Sequence, residues 1–130
     1  MSRRPYIRPV STTGWWLRDG LYFRYMMREL SSLFIGAFTI FLILGLYRLS
    51  QGRAEFEVFT ARLLGPAGTA FALLTLIFAI YHTYTWFQVT PKAMPIVLAG
   101  KRIPGFVIVA AHWLVFAAVT AIVWMLAVII

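Results

Sequence analysis

Residues 63–91 read LLGPAGTAFALLTLIFAIYHTYTWFQVTP, a stretch with no Asp, Glu, Lys or Arg. A helix rises about 1.5 Å per residue, and about 20 apolar residues cross the hydrocarbon of a bilayer. This stretch can therefore cross with residues to spare. Soluble core helices are rarely this long or this apolar on every face. Its ends are punctuated. Gly65 and Pro66 stand at the start, where proline is tolerated in a first turn. Thr90-Pro91 is expected to close it, because the residue before proline avoids the helical region.

Working outward, two further runs lack charge: Leu30 to Tyr47 and Ile103 to Ile130. The third run is long enough to span. The first spans if Glu29 and Arg48 sit at the two interfaces. Gly52 follows the first run, Pro104-Gly105 opens the third, and Trp86, Trp113 and Trp124 sit where interfacial or subunit-facing aromatics belong. The fold class expected is an all-α membrane protein with three transmembrane helices, at roughly 29–50, 64–89 and 104–130. Together they form a transmembrane domain over 29–130. Residues 1–28 form an N-terminal segment on the cytoplasmic side. Within it, Trp15 to Arg28 (WWLRDGLYFRYMMR) mixes aromatics with arginines and is expected to lie along the interface before turning into the first span. Arg24 and Arg28 share one helical face there.

Composition agrees. The chain has 130 residues, 62% hydrophobic and only 12% charged. A soluble domain carries about 25% charged residues. The formal charge of +8 does not point to nucleic acid, because the basic residues lie at the edges of apolar runs rather than in a segment with free base-stacking aromatics. The chain has no cysteine, which excludes disulfides, thiol catalysis and Cys-ligated clusters. No cleavable signal peptide is expected, since six arginines precede the first apolar run.

Orientation follows from charge. Arg3, Arg4, Arg8, Arg18, Arg24 and Arg28 precede the first span, and Lys92, Lys101 and Arg102 lie between the second and third. These two segments share a side and hold nine of the twelve basic residues. The other side carries Arg48, Arg53 and Arg62, offset by Glu55 and Glu57. The positive-inside rule places the N-terminus in the cytoplasm and the C-terminus outside.

Ionisable residues at membrane depth are costly and are functional candidates by default. Glu29 has no Lys or Arg at i±3 or i±4. Away from water, a carboxyl without a cation favours its neutral form and could exchange a proton near neutrality. The alternative is a carboxylate favoured by a helix N-terminus and wetted by headgroup water. His82 lies about 12 Å inside the second span, with Trp86 one turn later on the same face. The two could hydrogen-bond a ligand carbonyl or hydroxyl, or His82 could serve a helix–helix contact. His112 enters the third span to a similar depth. Two histidines could ligate haem iron, but they are a weak signal, and no metal site is expected otherwise. Glu29, His82 and Trp86 converge on one leaflet, and His112 reaches the same depth. A quinone would suit such a site.

The motifs RPYIRP (4–9), WW (15–16), FRYMMRE (23–29) and HTYTWFQVTPKA (82–93) resemble the C subunit of quinol:fumarate reductase, a small membrane anchor of the complex II superfamily. The resemblance covers the whole chain. It implies an anchor that is inert alone and works with an iron–sulfur subunit, a flavoprotein subunit and a second anchor, the D subunit, all on the bacterial inner membrane. It implies menaquinol as the quinone substrate, with FAD and iron–sulfur clusters confined to the partners. The quinone-site residues of the family fall on Arg28, Glu29, His82 and Trp86, with Glu29 taking the proton. Ser32 stands where a well-known member has alanine. Families with separate short C and D subunits usually lack haem. The alternatives are a succinate dehydrogenase anchor, with haem on His82 and His112, and a small proton-coupled exporter. The exporter would want four spans and a mid-bilayer carboxylate.

Overall fold

From Pro66 onward the apolar run at 63–91 forms one of four α-helices among the described residues, and Leu63 and Leu64 end the helix before it. The structure, a computed structural model, describes residues 9–129. Arg3, Arg4, Arg8 and Ile130, used in the orientation and span readings, lie outside the described residues. Helix α1 spans Gly20–Gln51, α2 Arg53–Leu64, α3 Pro66–Ala93 and α4 Gly105–Ile129. Of these, α1, α3 and α4 are long and apolar enough to cross a membrane, so this is an all-α membrane protein.

Asp19 begins α1. Its carboxylate accepts a hydrogen bond from the Leu21 N–H at 2.8 Å, satisfying one of the unpaired amides of a helix start. The helix then runs without a break through Arg28 and Glu29. The turn expected ahead of the first span lies further upstream, in the 3-10 turn Trp15–Leu17 and the extended Asp19. At 32 residues, α1 is about 48 Å long against about 30 Å of hydrocarbon, so it is longer than a span along the membrane normal requires.

Gly52 separates α1 from α2 with φ 124°, a region that glycine enters without steric cost. The segment after it forms a 12-residue helix. Its hold on α1 is aromatic: the Phe41 and Phe59 rings lie 4.7 Å apart. Gly45 makes room for this, since a Cβ there would stand 2.7 Å from the Phe59 ring. Further along, Phe34 stacks on Phe78 at 4.4 Å and Phe38 meets Phe71 at 5.9 Å. Ion pairs Arg48–Glu55 and Arg53–Glu57 cover the α1–α2 corner, and at this exposure each contributes little.

Thr90-Pro91 does not close the second span. Proline lies inside α3, which continues to Ala93. Pro91 lacks an N–H, so its cost is one missing bond in a final turn, and the Met94 N–H still reaches the Thr90 carbonyl at 2.8 Å. A two-stranded hairpin follows, β1 Val97–Leu98 with β2 Lys101–Arg102. Its two-residue turn puts Ala99 at φ 49° and Gly100 at φ 75°, the sign pattern of a tight primed hairpin turn. Pro104-Gly105 opens α4 as expected.

Two compact units divide the chain, residues 1–79 and 80–130. In the second unit α3 and α4 pack around Phe87, whose ring meets His112 at 5.1 Å and Trp113 at 5.0 Å, the latter edge-on. Ile108 is the only buried hydrophobic residue among the described residues. The helices therefore present nearly all their apolar surface outward, which is stable only against lipid or other helices.

Candidate functional site

Both groups of residues singled out in the sequence sit on spanning helices, one in each compact unit. On α1, the Arg28 guanidinium carbon lies 5.5 Å from the centre of the Tyr25 ring, a cation–π distance. Glu29 is exposed, and its carboxylate makes no ion pair or hydrogen bond among the described residues. Ser31 is fully buried, and its hydroxyl donates to the Arg28 carbonyl. The Ser32 hydroxyl donates to the Glu29 carbonyl at 2.6 Å. Its proton is thus committed to the helix backbone, a common use of serine within helices. The Ser32 hydroxyl therefore presents a lone pair rather than a donor to anything beside it.

On α3, His82 and Trp86 do share a face, with ring centres 6.1 Å apart and planes tilted by 54°. The Thr85 hydroxyl donates to the His82 carbonyl at 3.1 Å and the Thr90 hydroxyl to the Trp86 carbonyl at 2.8 Å. These back-bonds tie both threonine hydroxyls to the helix backbone. His82 is half-buried and Trp86 is 43% exposed. An imidazole can donate or accept, and an indole donates.

His112 is held differently. Its Nδ1 lies 2.7 Å from the Ile108 carbonyl oxygen on its own helix. A proton on Nδ1 completes that bond. The ring rests on Phe87. The described residues contain no group of three or more His, Cys, Asp or Glu able to hold a metal ion.

A feature that sequence reasoning misses lies at the hairpin. Gln88, Lys92, Arg102, Gly105 and Trp113 line a cleft of about 730 Å³ between the end of α3, β2 and the start of α4. In the sequence, Lys92 and Arg102 read only as orientation signals. The available clue is that no Asp or Glu follows Glu57 anywhere in the chain.

Comparisons with known proteins identify the family. The family model for the C subunit of fumarate reductase matches residues 1–129. The chain belongs to that family. The fumarate reductase C subunit of Salmonella heidelberg strain SL476 is 36% identical over 121 residues, covering 93% of this chain and 92% of the relative. That of Klebsiella pneumoniae strain 342 is 34% identical over the same length and shares. The three apolar helices are thus those of a fumarate reductase membrane anchor, which works in a complex with other fumarate reductase subunits.

Proposed function

We propose that this anchor forms a menaquinol-oxidising site and delivers the electrons to an iron–sulfur subunit for fumarate reduction. The observation that carries this reading is the uncommitted carboxylate of Glu29 on a membrane-spanning helix. Oxidising one menaquinol to menaquinone releases two electrons and two protons, and the protons need an acceptor near the reacting hydroxyls. Glu29 is the acidic group free to serve. His82 and Trp86 supply the hydrogen-bonding and stacking face for the quinone ring, Arg28 supplies positive charge next to Glu29, and Ser32 lines the same helix one turn on.

The rest of the machinery lies in partners. This chain has no cysteine and so cannot ligate an iron–sulfur cluster through thiolates. The clusters and FAD belong to the iron–sulfur and flavoprotein subunits, and the D subunit completes the anchor. Alone, the chain is catalytically inert. The positive-inside asymmetry supports an N-terminus in the cytoplasm and a C-terminus outside, in a bacterial inner membrane.

The test is inhibitor binding. Trp86→Ala in the assembled complex is expected to weaken quinol-site inhibitors roughly tenfold, the loss of one aromatic contact. Titration of menaquinol oxidation measures it. Unchanged affinity would remove Trp86 from the site.

A further inference from the structure

We propose that the cleft at the α3–α4 hairpin binds the headgroup phosphate of an anionic phospholipid. The cleft stands apart from the quinol reading, since none of Arg28, Glu29, Ser32, His82 or Trp86 lines it.

The first argument is charge. Two cations, Lys92 and Arg102, line one cleft. The second unit of the chain contains no Asp or Glu, and the ion pairs Arg48–Glu55 and Arg53–Glu57 lie at the α1–α2 corner. No acidic side chain in residues 80–130 neutralises Lys92, Lys101 or Arg102. Two uncompensated cations facing a common space make a site for an anion, and guanidinium matches phosphate oxygens in bidentate geometry. Gln88, one turn before Lys92 on α3, adds an amide donor.

The second argument is the gradient along the cleft. It runs from Gly105 to Trp113 on α4, eight residues or about 12 Å along the helix. Lys92 and Arg102 stand at the hairpin end, while Val109, Ala110 and Trp113 line the deeper part. Charge at the interface passing to apolar wall within the membrane is the profile of a phospholipid, with phosphate above and glycerol and acyl carbons below. A volume of about 730 Å³ falls in the range of small-ligand sites. Basic pockets beside membrane helices are known binders of anionic headgroups. A quinol has no charge for the cations to meet.

The third argument is construction. A Cβ on Gly105 would stand 3.3 Å from Pro91 Cβ. Glycine lets the start of α4 close against the end of α3, which fixes Lys92, one residue after Pro91, beside the start of α4.

The experiment is native mass spectrometry of the whole complex, delipidated and then titrated with phosphatidylglycerol, phosphatidylethanolamine or inorganic phosphate. Wild-type complex is expected to bind phosphatidylglycerol saturably. The Lys92→Gln, Arg102→Gln double variant is expected to bind it at least roughly tenfold more weakly. Phosphatidylethanolamine and excess phosphate should not compete. Should the double variant fail to assemble, the single variants Lys92→Gln and Lys92→Arg decide instead: weakened binding in the first and retained binding in the second support the site. Equal lipid retention in wild type and variant would overturn it. So would displacement by phosphate alone, which marks a free-anion site. Loss of the iron–sulfur subunit with lipid binding intact would also overturn it, because the cations would then face a protein carboxylate.

Discussion

Glu29→Gln is expected to slow menaquinol-driven fumarate reduction roughly 100-fold, the scale of a lost general base. Fumarate reduction from a water-soluble dye donor should stay at the wild-type rate. The substitution keeps the size and reach of the side chain but removes its charge and its ability to take a proton. Because no partner holds the Glu29 carboxylate among the described residues, no ion pair is broken and little structural damage is expected.

The two assays separate chemistry from assembly. Dye electrons enter without quinol, so an intact dye rate shows that the soluble subunits are still docked. The fall should appear in kcat more than in KM, since a base acts in the transition state rather than in ground-state binding. Equal loss of both activities would mean failed assembly and would leave Glu29 without a proton role. A normal menaquinol rate would assign the proton to another group.

The spans were legible because hydropathy needs no tertiary context. A long run without charge has one stable environment, and α1, α3 and α4 each contain one. Helix α2 was not legible for the opposite reason. Its sequence, RAEFEVFTARLL, mixes charge with aromatics, and what holds it is Phe59 against Phe41 on another helix, an approach that depends on Gly45 having no side chain. Pro91 misled for a related reason. Proline raises the cost of a helix without forbidding it, and the last turn of α3 absorbs that cost. The hairpin was hidden because Ala99 is a poor marker for a left-handed turn, where asparagine or glycine is the usual signal. Among site residues, Glu29, His82 and Trp86 stood out as polar groups in apolar runs, and the structure does bring the His82 and Trp86 rings together on one face, tilted at 54°. The commitment of the Ser32 proton to the Glu29 carbonyl could not be read from the residue type, because serine can point either way. Lys92 and Arg102 read as topology signals, and only the fold shows that they line one cleft.

Gly68→Ala is expected to reduce assembled complex in the membrane several-fold, the effect on abundance of a loss of about 1–2 kcal/mol or more. A Cβ at Gly68 would clash with the Leu63 carbonyl oxygen and stand 2.6 Å from that of Arg62. Both are backbone atoms of the last turn of α2, so no side-chain rotation can relieve the clash. The chain must instead open the corner at Gly65, where the Gly65 N–H bonds the Arg62 carbonyl and the Thr69 N–H bonds the Gly65 carbonyl. Gly36→Ala is the matched control, because a Cβ there meets nothing within 4 Å and alanine is the better helix former. Gly68 lies fourteen residues before His82 on α3, about 21 Å along the helix. The complex that does assemble should therefore oxidise menaquinol at the wild-type rate per molecule. Quantitative immunoblotting of membranes gives the abundance, and turnover normalised to flavin gives the rate. Equal abundance of the Gly68 and Gly36 variants would show that the α2–α3 corner yields more easily than its backbone distances imply.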